Sequence, residues 1–290
     1  LSNIIMPGKY SKKHKKRTHR RKKTIKKGKK SVKKLDFVDV PISDKVTLGS
    51  FETMGSQGGY HYQAYNNIFH FYRKILNENK ELQKMLCFPE KKDEWMNTFI
   101  KINLNNEDLN SSELVIQNIS QVAPEANLNK IIDAVKNCEN KGIRFFIITV
   151  MLIVPGKAGS HANIVIIDLH EKSIELFEPH GKRGVLSTLD SLTGAYEISN
   201  RLLKKFFSKI LPKYIYFSPQ NYLPTYGLQA KIDALTGLCV SWAIIYVHYR
   251  ILNPNKNRKQ IIKYFDKKIT KKFLLKYVKY VEEKIKDKLK

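Results

Sequence analysis

Residues 160–181 read SHANIVIIDLHEKSIELFEPHG, and this segment predicts a β-hairpin. Residues 161–168 and 173–178 are rich in β-branched and other apolar side chains, which favour strands. The connection at residues 169–172 is polar and short, as expected between two antiparallel strands. A histidine opens the first predicted strand, and a glutamate closes the second.

His161 and Glu178 are seventeen residues apart, and this odd separation places them on one face of the predicted hairpin. A two-residue loop centred between Leu169 and His170 would set them directly opposite each other, with Cβ atoms about 5 Å apart. A four-residue loop at 169–172 would move Glu178 two positions away on the same face. In either register the carboxylate can reach an imidazole nitrogen.

Two other carboxylates of the hairpin compete with Glu178 for the histidine. Asp168 lies on the same strand as His161 but seven residues further along, so the two residues are roughly 23 Å apart. Glu175 is separated from His161 by an even number of residues, which places it on the other face of the hairpin. We therefore expect Glu178 to orient His161.

Cys239 stands near the start of an apolar stretch that runs from Leu238 to Leu252 and stops at Asn253-Pro254. The length and the terminal Asn-Pro pair predict a helix, which should be central because it is apolar nearly all round. In the first turn of a helix, the dipole and the N–H groups stabilise a thiolate. Together with an imidazole base and an orienting carboxylate, the thiol completes the set required for nucleophilic catalysis.

A donor is also needed for the oxyanion of a tetrahedral intermediate. Gln229 lies in a predicted loop ten residues before Cys239, and its side-chain amide could act together with the Cys239 backbone N–H. Gln220 is the second choice for this donor.

The order His, acidic residue, Gln, Cys resembles that of the SUMO-protease and adenovirus-protease type of cysteine endopeptidase, in which the seventeen-residue spacing is usual. The local motifs HANIVIID, IELFEPHG, GLQ…GLCVSW and RILNP are most similar to thiol proteases of giant DNA viruses, over residues 143–254. This chain departs from the pattern in two ways. The gap from Gln to Cys is longer than in the cellular members, and Ala162 stands where many members carry Trp.

The resemblance implies a papain-like or adenovirus-protease-like fold, with a central mixed sheet packed against the helix that bears the nucleophile. It also implies His161 as the base, Glu178 as the orienting acid, Gln229 as the oxyanion donor and Cys239 as the nucleophile. No cofactor or metal is implied, although the adenovirus relatives suggest activation by DNA. The resemblance implies cleavage of virion precursor proteins as the function, with removal of ubiquitin-like modifiers (deubiquitinase or deSUMOylase activity) as the alternative.

Three other interpretations stay open. A zinc site could be built from His161, Glu178, His180 and Cys239, but the ligand spacings match no zinc motif, and His180 is better explained as a turn residue or as a partner of the site. The chain could also be a non-catalytic, nucleic-acid-binding virion protein on a protease scaffold. An acyltransferase with a similar His-Glu-Cys set would depend on acetyl-CoA.

From residue 143 the sequence predicts three strands at 143–154, 161–168 and 173–178, followed by a helix at about 195–211 and a short strand at 214–217. A loop that contains Gln229 then leads to the cysteine helix at 238–252. This mixed succession predicts an α+β domain. We expect a protease domain at 36–255, with a helical N-terminal part at 36–140 and a catalytic part at 141–255. Residues 256–290 show the spacing of one or two amphipathic helices, expected to pack on the core.

The charge is concentrated at the two ends of the chain. Residues 1–35 hold sixteen Lys or Arg and no acidic residue, while residues 256–290 carry a net charge of +10. Of the formal net charge of +27, only +1 is left for residues 36–255. The first segment has too little apolar content to pack, so we expect a disordered polybasic tail. Such a tail is suited to non-specific, salt-dependent contact with DNA or RNA.

The three cysteines, Cys87, Cys138 and Cys239, cannot build a disulfide framework and leave an odd thiol, which suits a reducing compartment. The longest apolar runs, about 143–154 and 238–252, fall short of the roughly 20 residues that a membrane helix needs. No signal peptide is apparent. We therefore expect a protein that is neither secreted nor transmembrane, and the resemblance to viral proteases implies a location in the virion and the host cytoplasm.

Overall fold

A mixed six-stranded sheet, in the order β2-β1-β3-β4-β5-β6, organises the part of the chain that the structure describes. The pairs β1–β2, β3–β4 and β4–β5 are antiparallel, whereas β1–β3 and β5–β6 are parallel. The strands are β1 (Thr98–Asn103), β2 (Glu113–Asn118), β3 (Phe145–Ile153), β4 (Ser160–Asp168), β5 (Ser173–Phe177) and β6 (Ile215–Phe217).

Helices flank the sheet. They are α1 (Tyr65–Glu78), α2 (Lys80–Gln83), α3 (Pro124–Asn140), α4 (Thr193–Ile210), α5 (Pro219–Tyr222), α6 (Leu228–Ile232), α7 (Cys239–Leu252), α8 (Arg258–Lys268) and α9 (Lys271–Ile285), with a 3₁₀ turn at Leu109–Ser111. This is a computed structural model that describes residues 37–43, 65–87, 98–105, 108–118, 124–153, 160–182, 193–232 and 238–286. These residues belong to one unit that spans 37–290. The predicted polybasic tail at 1–35 lies outside the described residues.

The centre of the sheet is formed by β3 and β4, which pair along their full length. The run Ile164–Ile167 is fully buried on both faces, and such continuous apolar runs are typical of central strands. The helix α7 lies against β4 and is itself surrounded by α1, α8 and α9. Nearly every residue of α7 is buried, as its all-round apolar sequence predicts. The predicted α+β class, with a mixed sheet packed against the cysteine helix, is confirmed.

Two sequence-based expectations need correction. The predicted helical part at 36–140 is wrong for residues 98–118, because β1 and β2 join the sheet there. β2 pairs with β1, and β1 pairs in turn with β3, a long-range interaction that local patterns do not reveal. Gln229 lies on the short helix α6 rather than in a loop.

Cys87 and Cys138 form a disulfide with a Cα–Cα distance of 5.8 Å, and it links α3 to the segment that follows α2. Both residues are buried. Cys239 is the odd cysteine outside this bond. Disulfides are typical of oxidising compartments, so this pair disagrees with the expectation of a reducing compartment, while the expected odd thiol is Cys239.

The C-terminal segment forms the two amphipathic helices α8 and α9, which pack on the core. Their apolar faces are buried, including Phe265, Tyr277 and Val278, while most lysines point outward. Asn257 and Thr270 cap the two helices by accepting hydrogen bonds from the backbone. Among the described residues, no helix combines the length and the apolar character that crossing a membrane requires.

Candidate active site

The hairpin register brings His161 and Glu178 together. Asp168 pairs with Ser173, so the connection has four residues, and Glu178 lies two positions from the site opposite His161. The imidazole Nε2 donates a hydrogen bond of 2.8 Å to Oε1 of Glu178. Of the two loops that the sequence allowed, the structure has the longer one.

The two competing carboxylates are engaged elsewhere, as their positions in the hairpin predict. Asp168 accepts hydrogen bonds from Arg144, at the far end of β4 from His161. Glu175 faces α7, where Arg250 donates to it at 2.7 Å. Neither is placed to orient the imidazole.

Glu178 is 2% exposed and is held by the turn that follows it. Its Oε1 also accepts a hydrogen bond of 2.9 Å from the backbone N–H of His180. Burial acts to raise the pKa of this carboxyl, but the charge and the hydrogen bond of His161 outweigh burial and lower the pKa. The carboxylate is therefore ionised at neutral pH and can hold a charged imidazole.

His161 lies between that carboxylate and the thiol of Cys239. Burial acts to lower the pKa of the imidazole, but the charge of Glu178 and the hydrogen bonds to Cys239 and Glu178 raise it to about 10. Because Nε2 bonds Glu178, the Nδ1 side of the ring is the one left for the thiol. The histidine is thus set up as an imidazolium with a negative group on each side.

Cys239 is the first residue of α7 and is 8% exposed. Burial acts to raise the pKa of the thiol, but the hydrogen bond and the charge of His161, and bonds to the backbone of Ala162 and Val240, lower it. The shifts of both groups favour a thiolate–imidazolium pair, which is the reactive state of a cysteine nucleophile.

Gln229 is the better placed of the two candidate oxyanion donors. It is 2% exposed, and its backbone N–H donates to the Pro179 carbonyl at 3.1 Å, beside Glu178. Gln220 is exposed, and its amide makes only long bonds of 3.5 Å to Lys182 and Asn200. The structure thus brings Gln229 to the turn that carries the acid.

Two glycines allow this close approach of backbones. Gly227 donates to the His180 carbonyl at 2.7 Å, and a Cβ on Gly227 would lie 2.2 Å from the Pro179 carbonyl oxygen. Gly181 has φ +94°, and a Cβ there would lie 2.4 Å from the backbone nitrogen of Gly227. Only residues without a Cβ fit at this contact, which fixes α6 against the end of β5.

Two further side chains contact His161, of which Tyr196 was not identified from the sequence and His180 was interpreted as a turn residue or a partner of the site. The ring of Tyr196, on α4, meets His161 edge-on at 5.6 Å, and burial, followed by the charges of Glu178 and Cys239, raises its pKa. No local pattern marks Tyr196, because a distant helix brings it there. His180 lies directly opposite His161 when the hairpin register is extended, with ring centroids 4.9 Å apart. The four-residue loop would have predicted that contact.

His161, Glu178 and His180 could also hold a metal ion, since one donor atom from each lies within 4.8 Å of the others. Burial and the charge of His161 lower the pKa of His180 to about 4, so its ring is neutral at physiological pH. The site therefore combines a thiol, an imidazole and a carboxylate with a neighbouring neutral histidine.

The sequence matches no protein-family model and no curated protein. Among solved structures, the effector protein RavZ of Legionella pneumophila is similar with a TM-score of 0.48 and 10% identity, over 80% of this chain and 66% of RavZ. The effector protein ChlaDUB1 of Chlamydia trachomatis is similar with a TM-score of 0.41 and 12% identity, over 87% of this chain and 97% of ChlaDUB1. The resemblance to viral thiol proteases rests on the quoted sequence motifs alone.

Proposed function

We propose that this protein is a cysteine endopeptidase with Cys239 as nucleophile, His161 as base and Glu178 as orienting acid. The observation that carries the proposal is the single imidazole shared by a buried carboxylate, at 2.8 Å, and a thiol at a helix N-terminus. The hairpin brings His161 and Glu178 together, but Cys239 lies on α7, and no local structure explains why it meets them. A catalytic role explains it.

In this mechanism the Cys239 thiolate attacks the scissile carbonyl carbon and forms a tetrahedral oxyanion. Protonated His161 then gives its proton to the leaving amine as the C–N bond breaks, which leaves a thioester. Neutral His161 next takes a proton from water, the hydroxide attacks the thioester, and the acid product leaves with the thiolate restored. Glu178 holds the imidazole in orientation and stabilises its charged form.

The oxyanion needs donors beside the thiol. We assign this role to the side-chain amide of Gln229 together with the backbone N–H of Cys239, which belongs to the first turn of α7. The positive end of the helix dipole adds to the stabilisation of negative charge at the same place.

For the substrate, we propose virion precursor proteins cleaved at peptide bonds, with isopeptide bonds of ubiquitin-like modifiers as the runner-up. The two differ in the amine that leaves, which is a backbone nitrogen in one and a lysine Nζ in the other. Parallel assays with a precursor polypeptide and with a ubiquitin-like conjugate decide between them by the ratio of kcat/KM values.

The polybasic segment at 1–35 is proposed to bind nucleic acid without sequence preference. Its sixteen cations and lack of acidic residues support binding through counterion release. Affinity for duplex DNA should fall steeply with added salt, and a chain lacking residues 1–35 should lose most of that salt dependence. Equal affinity of the two proteins at every salt concentration would remove this part of the proposal.

Thiol labelling across pH 4–10 with a small electrophile tests the catalytic assignment. The pKa of Cys239 is lowered and that of His161 is raised to about 10, so the ion pair exists between these two values. We expect fast labelling that persists well below the ordinary thiol range and declines only when the thiolate is protonated. Cys239→Ser should abolish fast labelling, and His161→Ala should slow it at pH 6 by about tenfold or more.

Labelling of the unfolded protein gives the control, because a thiol in an unfolded chain has the ordinary thiol pKa and reactivity. An unchanged pH profile in His161→Ala would show that the imidazole does not activate Cys239. A Cys239 that labels no faster than in the unfolded chain would favour a non-catalytic protein on the same scaffold.

A further inference from the structure

The side chains around the candidate triad leave metal-binding atoms without hydrogen-bond partners. Oε2 of Glu178 and Nδ1 of His180 are buried and lack a partner among the described residues, although the two residues are only 2% and 3% exposed. Buried polar atoms are rarely left unpaired in proteins, and those that are often belong to a catalytic centre or bind an ion. Donor atoms of His161, Glu178 and His180 lie within 4.8 Å of one another.

We propose that His161, Glu178 and His180 bind Zn²⁺ as an inhibitory site that overlaps the candidate triad. Inhibition by zinc rests on the proposed peptidase function, whereas zinc binding at these three residues does not depend on it. The ligands would be two imidazole nitrogens and one carboxylate oxygen, with the fourth position open to water or to another group.

The ligand chemistry selects zinc over the common hard cations. Two neutral imidazoles and one carboxylate are a frequent zinc ligand set, with bonds of about 2.0–2.2 Å, whereas Mg²⁺ and Ca²⁺ prefer oxygen ligands. Tetrahedral bonds of that length separate donor atoms by about 3.3 Å. The observed spread of up to 4.8 Å, with one pair at 2.8 Å, requires only modest rotations of side chains.

The surroundings also suit a metal site. The backbone N–H of His180 donates to Oε1 of Glu178 and holds the carboxylate in place, as the outer partners of metal ligands usually do. The buried carboxylate Glu175, by contrast, is surrounded by the guanidinium groups of Arg250 and Arg258, whose charge repels a cation. Of these two buried carboxylates on one hairpin, only Glu178 is open to a metal.

Zinc at this site would stop the proposed reaction for a physical reason. A metal bound at Nε2 of His161 displaces the proton of the hydrogen bond to Glu178 into water. The ring is then fixed to a dication, which opposes its protonation and keeps it from carrying a proton from the thiol to the leaving amine. Inhibition would be reversible, since removal of the metal restores the hydrogen bond.

The first experiment measures binding without relying on activity. Full-length Cys239→Ser protein, which lacks the thiol as a competing ligand, is titrated with Zn²⁺ against a chromophoric chelator. The same titration is repeated on a protein that carries, in addition to Cys239→Ser, the substitution His180→Phe, which keeps a ring of similar size. We expect its tightest Zn²⁺ binding to be weaker by more than about tenfold. His170→Gln is the matched control, because it removes an exposed histidine at the far end of β4 and should leave that binding unchanged.

Thermal melts show whether each variant is folded, and His180→Gln replaces His180→Phe if the latter is not. Equal zinc affinity with and without the His180 ring would overturn the proposal. So would weakening by the His170 control alone, since it would place the metal at the surface.

The second experiment links binding to activity. Zinc should inhibit the wild-type peptidase, a chelator should restore it, and His180→Phe should require at least about tenfold more zinc for half inhibition, relative to its own zinc-free rate. Equal sensitivity of the two proteins would place zinc on the thiol alone and overturn the proposal. Zinc-stimulated hydrolysis that survives Cys239→Ser would overturn both this inference and the cysteine mechanism. If no peptidase activity is found, the binding experiment still decides the zinc site.

Discussion

Glu175 and Glu178 are two buried carboxylates on the same hairpin, three residues apart, with opposite environments. Glu175 is surrounded by donors, since Arg250 and Tyr246 donate to Oε1 at 2.7 and 3.2 Å and Arg258 donates to Oε2 at 2.8 Å. Glu178 uses only Oε1, and its Oε2 has no partner among the described residues. Alternation along β5 directs the first toward α7 and the second to the other side of the sheet.

The difference separates a structural site from a functional one. Polar groups that only stabilise a core are expected to be fully hydrogen-bonded, because each unpaired buried group costs free energy. A group that takes part in catalysis or binds a ligand can keep a hydrogen-bonding atom without a partner in the folded protein. The loss of stability is then compensated elsewhere in the fold. By this criterion the Glu175 cluster stabilises the fold, and the Glu178 cluster is the one to which we assign the proposed catalytic role.

The largest expected effect follows from removing the charge of Glu178. Glu178→Gln should lower kcat/KM by about 10,000-fold, because an amide no longer stabilises the imidazolium or fixes its tautomer. The free energy of unfolding should fall by less than in Glu175→Gln, because the imidazole beside Glu178 can lose its charge, whereas the guanidinium groups beside Glu175 cannot. Peptide hydrolysis and denaturant unfolding on the same sample check both. A large loss of stability would make Glu178 a second structural carboxylate.

Glu175→Gln should give the reverse pattern. It removes the nearest counter-charge of the buried Arg250 and of the half-buried Arg258, so unfolding should become easier by about 3–5 kcal/mol. The kcat/KM of the protein that remains folded should change by less than about tenfold. Denaturant unfolding and active-site titration separate the two quantities. A catalytic loss as large as that of Glu178→Gln would erase the distinction between the carboxylates.

Gly227→Ala tests how the acid and the candidate oxyanion donor are held together. The added Cβ would lie 2.2 Å from the Pro179 carbonyl oxygen, so α6 and Gln229 must move away from the turn after β5. Because a misplacement of about 1 Å can cost 100-fold, kcat/KM should fall by about 100-fold. A steady-state assay on folded protein measures the loss. Unchanged activity would show that Gln229 needs no fixed position and favour another donor.

The smallest effect is expected two residues beyond Gln229. Lys231 makes an exposed ion pair of 2.6 Å with Asp266, which joins α6 to α8 at the surface. Lys231→Gln should change the free energy of unfolding by less than about 1 kcal/mol and leave kcat/KM nearly unaltered, since water screens the pair. Side-by-side melts and assays with Gly227→Ala make the comparison. An effect as large as that of the glycine substitution would mean that this ion pair, rather than the backbone contact, positions Gln229.

Much of the site was predictable because hairpins and helix ends are local structures. Alternation along residues 160–181 placed His161 and Glu178 on one face and excluded Glu175, and the rise of the strand excluded Asp168 by distance. The apolar run after Gly237 placed Cys239 in the first turn of a central helix. These inferences needed only the period of a strand and the length of a helix.

The sequence by itself determined the longer strands and helices of residues 143–254, though not α5 and α6, together with the parity of the hairpin and the candidates for the nucleophile and its partners. Tertiary structure decided the loop length that sets His180 against His161, the approach of Tyr196, the pairing of Cys87 with Cys138 and the addition of β1 and β2 to the sheet. The reason is the range of the interactions. Periodicity records which side of an element is buried, whereas contacts between distant segments depend on how the elements pack and leave no local pattern.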